Sequence, residues 1–407
     1  MKPTLKNGGS NNRCCAPGSA ARCFTRNGSK PPETFKQTVY LQQLSITNFK
    51  NYGQCTLQFV PRINLICGQN GAGKTNLLDA VYYLCFCKSY FSATDAQNIH
   101  HGQDFFRLEG RFMLANGQNC TALVKYGAGR KKEFGLNGAV YDRLSEHIGL
   151  LPLVMIAPDD TEIIKNSSEE RRKLLDITIS QIDKSYLQAL ISYNKTLQQR
   201  NALLKTFAER HFFNPALLET YNEQLSPPAM LIYTKRQQVV QLLLPLVQQY
   251  YGQLSGGRET VHCTYQSALA NTGFAELLKQ NLHTDRQLQR TTEGIHRDDA
   301  EFTINNYPLK KFGSQGQQKS FLIALKLAIY RLIAQSSGKT PILLLDDICD
   351  KLDEQRISQL VQIITGPNFG QVFISDTQKD RMQAIFTSLT TAPQLYYLHN
   401  GEAKLLT

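Results

Sequence analysis

The sequence predicts an α/β fold interrupted by a helical insertion, on three observations. A short apolar run, Ile63-Asn64-Leu65-Ile66-Cys67, feeds a glycine-rich loop and then a helical pattern with Leu77, Val81 and Leu84 on one face. The run Ile342-Leu343-Leu344-Leu345 is wholly apolar, as befits a strand buried on both faces, and it ends in Asp346-Asp347. Between them the hydrophobic period switches from that of strands to that of helices and back. Two strand-bearing halves therefore flank a helical segment and meet across one sheet.

From Tyr40 the pattern Leu41, Leu44, Ile46 reads as a strand ending at Asn48-Phe49-Lys50-Asn51-Tyr52, with Cys55-Thr56-Leu57-Gln58-Phe59 as its antiparallel neighbour. Phe105 to Phe112 and Cys120 to Tyr126 extend this sheet, and Asn137-Gly138 marks a hairpin turn. Ser167-Ser168 ahead of Glu169-Glu170 predicts a helix start. One long helix is expected to follow, because Leu175, Ile179, Ile182, Tyr186, Leu190, Tyr193, Leu197 and Leu204 recur by threes, fours and sevens. Its partner is predicted to begin at Ser226-Pro227-Pro228 and run through Val239, Leu243, Leu246 and Tyr250, kinked at Pro245. The two form an antiparallel arm. After Gly256-Gly257 strand character returns at Val261 to Tyr265, followed by a helix over 319–333 and a last strand from Gln371 to Ser375. The predicted organisation is a disordered basic extension over 1–38, an N-terminal α/β half over 39–160, a helical arm over 161–292 and a C-terminal half over 293–407.

Composition narrows the class. At 407 residues and 42% hydrophobic, the chain has room for two or three cores. It carries no apolar stretch long enough for a membrane span and no signal-like N-terminus, so a cytoplasmic protein without a membrane partner is predicted. Half of the net charge of +12 lies before residue 39, where Lys2, Lys6, Arg13, Arg22, Arg26, Lys30 and Lys36 oppose Glu33 alone. Charge is thus weak evidence for nucleic acid. Lys125, Arg130, Lys131 and Lys132 form a tighter cluster able to meet phosphates, although such clusters are more often solvated hairpin faces. The ten cysteines lack zinc-site spacing, and Cys67, Cys85 and Cys87 sit in apolar runs where a thiol acts as a small hydrophobe.

The chemistry is concentrated in Gly68-Gln69-Asn70-Gly71-Ala72-Gly73-Lys74-Thr75, which matches the phosphate-loop pattern without a mismatch. Gly71 and Gly73 let backbone N–H groups turn toward phosphate oxygens, the helix start adds positive potential, Lys74 reaches the β and γ phosphates, and Thr75 ligates magnesium. ATP with Mg2+ is the predicted ligand. The metal shell needs an acidic residue at the end of a neighbouring strand, and Asp346 fits; Asp347 is suited to orient or deprotonate the attacking water. Alternatively the two aspartates cap a helix starting near Leu352.

A third element lies at Phe312-Gly313-Ser314-Gln315-Gly316-Gln317-Gln318-Lys319, where Ser314-x-Gly316-x-Gln318 opens a helix shortly before the acidic strand. It resembles the LSGGQ-like signature of ATP-binding-cassette proteins, whose serine, glycine and helix N-terminus bind the γ-phosphate held by another subunit. Leu254-Ser255-Gly256-Gly257-Arg258 is closer in letters but follows a helix, so it reads as a C-terminal glycine turn.

Together with these motifs, Leu44-x-Ile46-x-Asn48-Phe49-Lys50-Asn51-Tyr52, the loop from Gly68 to Asn76, Glu170-Arg171-Arg172-Lys173-x-Leu175-Asp176 and Gly294-x-His296-Arg297-Asp298-Asp299 resemble the RecF family of bacterial recombination mediators, relatives of the SMC-type cassette ATPases. The likeness runs from about Tyr40 to the C-terminus. It implies an ABC/SMC-type P-loop ATPase head built from both terminal segments, an ATP-dependent homodimer, and weak ATPase activity. It also implies binding to single-stranded and gapped double-stranded DNA, and work with RecR and RecO in loading RecA. By the same resemblance Lys50 and Asn76 join the nucleotide site, and 296–299 lies near the nucleotide or the subunit contact. Lys50 stands where the family usually has arginine, so a bidentate contact becomes a point charge. Ala157-Pro158-Asp159-Asp160 lacks the glutamine of a Q-loop, and Ser375-Asp376-Thr377 lacks the switch histidine of transporters. Those departures argue against a transporter subunit and for slow hydrolysis. An ATP-gated clamp whose hydrolysis only resets the dimer is the alternative reading.

Overall fold

The structure is a computed structural model and describes residues 38–165, 167–347, 352–386, 393–399 and 401–406. The basic extension up to residue 37, with Cys14, Cys15 and Cys23, lies outside the described residues. A six-stranded antiparallel sheet has the order β2-β1-β4-β5-β6-β7, with β1 Tyr40–Phe49, β2 Tyr52–Gln58, β4 Phe105–Met113, β5 Asn119–Gly127, β6 Glu133–Leu136 and β7 Ala139–Val140. Asn137 and Gly138 both take positive φ between β6 and β7, as the hairpin turn requires.

The second sheet positions the site. Its order is β15-β14-β3-β13-β12-β8, with β3 Ile63–Gly68, β8 Leu153–Ile156, β12 Ile342–Leu345, β13 Val372–Asp376, β14 Gln394–His399 and β15 Glu402–Leu406. From β14 to β8 the strands are parallel, and only β15 runs against its neighbour. Strands from both ends of the chain interleave, as the sequence predicts. Alternate side chains go to two different cores: Leu65, Leu343, Leu345 and Ile374 to one, Ile66, Leu344 and Phe373 to the other. The first core receives the helix Gln315–Ser337 and the arm; the second receives the helix Lys74–Phe86 and the antiparallel sheet. Burial on both faces explains the unbroken apolar runs.

The arm differs from expectation in its boundaries. The first predicted helix is two, Ser168–Ile182 and Lys184–Glu209, because Asp183 leaves helical conformation and its carboxylate caps Ser185 and Tyr186 N–H. The heptad-like spacing continues across that break and hides it. Ser167 sits at the earlier N-cap without a side-chain cap bond, while the Ser168 hydroxyl accepts from Arg172. The partner helix starts eleven residues before Ser226, as Pro215–Ser255, with Asn214 as its cap and Pro215 in the first turn. It runs through Pro227, Pro228 and Pro245. The carbonyls left without an in-helix donor by Pro227 and Pro228 belong to Glu223 and Gln224, which are exposed. Gly256 ends this helix in left-handed conformation, as predicted for the 254–258 segment. The strand β9 Val261–Gln266 then pairs with β10 Asp299–Ile304, which also pairs with β11 Tyr307–Pro308.

A fully buried ion pair joins Arg200 to Asp285 at 2.7 Å, and Arg200 also reaches Asn222 and Thr291. Arg200→Met strands the Asp285 charge, so chemical denaturation should register a loss of about 3–5 kcal/mol. A loss below about 1 kcal/mol would mean that the buried pair is not holding the helices of this region together.

Candidate nucleotide site

The carboxyl ends of four parallel strands converge: Gly68 at the end of β3, Asp346 after β12, Asp376 at the end of β13 and Ala157 after β8. Ligands of α/β sheets bind at such an edge. Gly71 and Gly73 have φ of +81° and +106°, and a Cβ on Gly73 would lie 2.5 Å from the Asn51 amide and 2.9 Å from the Tyr52 hydroxyl. Only glycine fits there. Asn76 donates to Asn51 at 2.7 Å, Tyr52 donates to the Gly73 carbonyl at 3.0 Å, and Asn51 reaches the Ala72 carbonyl at 3.4 Å. The turn between β1 and β2 thus buttresses the loop, a role the sequence reading did not assign to Asn51 or Tyr52.

Lys74 is buried, its ammonium donating to the carbonyls of Gly68 (3.0 Å) and Gln69 (3.3 Å), with the Asp347 carboxylate 3.8 Å away. Thr75 donates its hydroxyl to Asp346 Oδ2 at 2.8 Å. Ser375 donates to Asp346 Oδ1 at 2.6 Å and accepts the Asp347 N–H at 2.9 Å. Strand order explains Ser375: β13 lies between β3 and β12, so its last turn inward falls beside both. Burial pushes the Asp346 carboxyl above the usual range, against the Ser375 and Thr75 hydrogen bonds and the Lys74 charge. A hydroxyl and a carboxylate in contact form a hard oxygen set that fits Mg2+, which takes one or two protein ligands and otherwise water and phosphate. The capping alternative is set aside, since the helix Glu354–Ile364 is capped by Asp353. Asp347 instead holds a left-handed φ of +42°, a strained backbone of the kind found at active sites.

Two residues expected at the nucleotide have partners within the chain. Lys50, also at positive φ (+51°), pairs with the buried Asp79 at 2.5 Å, so its charge is engaged by the helix Lys74–Phe86. Gln318 is buried and donates to the carbonyls of Gly313 (3.0 Å) and Leu309 (3.3 Å), so its amide shapes the turn from inside. Ser314 caps the helix Gln315–Ser337 in a reciprocal capping box with Gln317 and is itself exposed. Gly316 admits the Arg356 guanidinium, which would lie 2.5 Å from a Cβ. Among the described residues no hydrogen bond joins Ser314–Gln318 to Gly68–Asn76.

The 294–299 motif is a joint. Arg171 grips Asp299 through two hydrogen bonds, Arg172 donates to the Asp298 carbonyl at 2.6 Å, and the buried Arg236 donates to the Ile295 carbonyl at 2.7 Å and to Asp176 at 2.8 Å. His296 accepts from the Tyr193 hydroxyl and donates to the Thr291 carbonyl; burial holds it at about 4, hence neutral. This motif ties the base of the arm to β10.

Residues 40–395 match the family model described as RecF/RecN/SMC N terminal domain. The DNA replication and repair protein RecF of Flavobacterium johnsoniae is 44% identical over 360 residues, covering 88% of this chain and all of that protein. That of Phocaeicola vulgatus is 41% identical over 365 residues, covering 89% and 98%. This chain belongs to the RecF family. The solved structures of the recombination mediator protein RecF with ATP and with ATPrS in the RecFOR pathway superpose with a TM-score of 0.82 each, at 29% and 28% identity. They cover 91% and 92% of this chain and 98% and 100% of theirs. An Smc head domain from Pyrococcus furiosus, 18% identical, shares the fold with a TM-score of 0.55 over 91% of this chain and 96% of that one. The ABC/SMC-type head is therefore the fold of this RecF relative, an ATP-binding protein of DNA repair and recombination. Among its described residues no helix is long and apolar enough to cross a membrane.

Ser375→Ala removes the donor that orients Asp346 and should weaken Mg2+-dependent nucleotide binding about tenfold or more, as loss of an outer-sphere partner does. A titration with and without Mg2+ reads this, and equal loss in both conditions would contradict it. Because burial raises the Asp346 carboxyl, a proton competes with the metal at a higher pH than for an ordinary aspartate. Mg2+ affinity should accordingly fall as pH is lowered through that raised value, and Asp346→Asn should abolish the dependence.

Proposed function

We propose that this protein is an ATP-dependent DNA-binding ATPase of recombinational repair, working as a homodimer that sandwiches two nucleotides. The observation that carries the reading is the contact of Thr75 with Asp346 beside Lys74, at the carboxyl edge of a parallel sheet, while the exposed Ser314 turn of the same chain makes no bond to that loop. One chain holds a phosphate-and-metal half and a signature half that face different nucleotides.

In this reading residues 39–160 and 293–407 build the ATPase head and 161–292 the arm. ATP with Mg2+, when bound, supplies a γ-phosphoryl group that water can attack. Gly68 to Gly73 line its phosphates with backbone N–H groups, Lys74 exchanges its two carbonyl partners for phosphate oxygens, and Thr75 and Asp346 hold the metal. Asp347 orients water; Ser314 and Gly316 of the partner subunit close over the site, with Gln318 keeping their turn in shape. Without a Q-loop glutamine or switch histidine, turnover is slow. The names of the relatives, DNA replication and repair protein RecF and recombination mediator protein of the RecFOR pathway, support a role in repair; the family resemblance extends it to single-stranded and gapped DNA, with RecR and RecO assisting RecA loading.

Sedimentation with ATP, Mg2+ and gapped DNA tests this. The wild type should shift from monomer to dimer and carry DNA, Lys74→Met should remain monomeric, and Asp347→Asn should accumulate as a DNA-bound dimer because binding survives and hydrolysis does not. A monomer under every condition would refute the sandwich.

A further inference from the structure

Lys326 is a charge where packing predicts an apolar residue. It lies midway along the helix that Ser314 opens, between Leu325 and Leu327, and only 4% of it is exposed. A buried ammonium is costly unless paired. Its Nζ donates to the Met155 carbonyl at 2.9 Å, the Asp160 carboxylate at 3.1 Å and the Tyr90 hydroxyl at 3.3 Å. Asp160 is 5% exposed, and its other bonds come from the Ala157 N–H at 2.8 Å and the Tyr90 hydroxyl. The Tyr90 N–H donates to Asp79 at 2.7 Å, the same carboxylate that holds Lys50.

Three segments therefore meet on one lysine. The signature helix supplies Lys326, the turn after β8 supplies Asp160, and the segment following the P-loop helix supplies Tyr90. The metal-side aspartate is close by in the chain of bonds, since the Asp346 N–H donates to the Ile156 carbonyl, one residue before Ala157. An apolar side chain would fill the same volume, but would tolerate sliding and rotation of the helix; three directional bonds fix both.

We propose that Lys326 is a positioning residue for ATP-dependent closure. Through Asp160 and Tyr90 it sets the signature helix at one angle to the P-loop and the metal aspartate, so that Ser314 of one copy meets the nucleotide of another in register. The proposal rests on the dimer reading above and adds a residue that touches neither nucleotide nor metal.

The test removes both charges together, in Lys326→Met with Asp160→Asn, so that neither is stranded. Monomer affinity for a fluorescent ATP analogue should stay within about twofold of wild type, while ATP-driven dimerisation and turnover fall about tenfold or more, since small misplacements at a reacting centre carry penalties of that size. Tyr90→Phe keeps the ring and removes one bond. It should lower turnover in the same direction with nucleotide KM unchanged, and it serves if the double variant fails to fold. Wild-type dimerisation and turnover in a folded double variant, or in Tyr90→Phe when that is the variant available, overturn the proposal while leaving the dimer reading intact. Absence of an ATP-dependent dimer in the wild type overturns both.

Discussion

The hydrogen bond from Thr75 to Asp346 is the contact on which the site depends. It joins residues that are 271 positions apart in the chain, and they meet only because β3 and β12 are held parallel with β13 between them. No local element can make it. The whole sheet must assemble, with strands from both ends of the sequence interleaved, before the Thr75 hydroxyl and the Asp346 carboxylate can meet. Burying Asp346 costs free energy that is offset at the same point by Thr75, Ser375 and Lys74. Fold and site are thus one constraint, since the burial that holds the sheet together is the burial that makes Asp346 need its partners.

What was legible in the sequence was local. The P-loop is readable because its glycines answer to backbone geometry within a few residues, and β12 because a strand buried on both faces has no polar residue to spare. The 254–258 turn was readable from its place after a helix. What was missed lies across the chain. Asn51, Tyr52 and Ser375 act through partners more than twenty residues away, and although their segments stand out in the sequence, nothing local assigns them these roles. The break at Asp183 carried a signal, an aspartate ahead of a new helical run, which the continuing hydrophobic spacing outweighed. So did Asn214-Pro215, a cap followed by a first-turn proline, overshadowed by the double proline downstream.

The charged motifs show how chemistry and architecture can be confused. Arg171, Arg172, Asp298 and Asp299 have the residue types of a phosphate site, yet they neutralise one another where the arm meets β10. His296 is uncharged for a different reason: burial disfavours the imidazolium and outweighs its bond to the Thr291 carbonyl. The joint matters because the arm and the signature helix share one core: Tyr251 of the arm packs its ring 6.5 Å from that of Phe321, less than two turns into the signature helix. A core of this density does not let one helix move alone.

That shared core bears on how a second copy would be felt. Ser314 is exposed and its cap is already complete within its own turn, so in the dimer we propose it would offer a γ-phosphate a preformed helix start. What remains to be set is the orientation of the whole helix, and its fixed points are the arm on one side and the Asp160 turn on the other. In the proposed dimer, closure over a partner's nucleotide would then be a rigid-body problem. The signature turn is already shaped, and the bonds that aim it lie far from the phosphate it would meet.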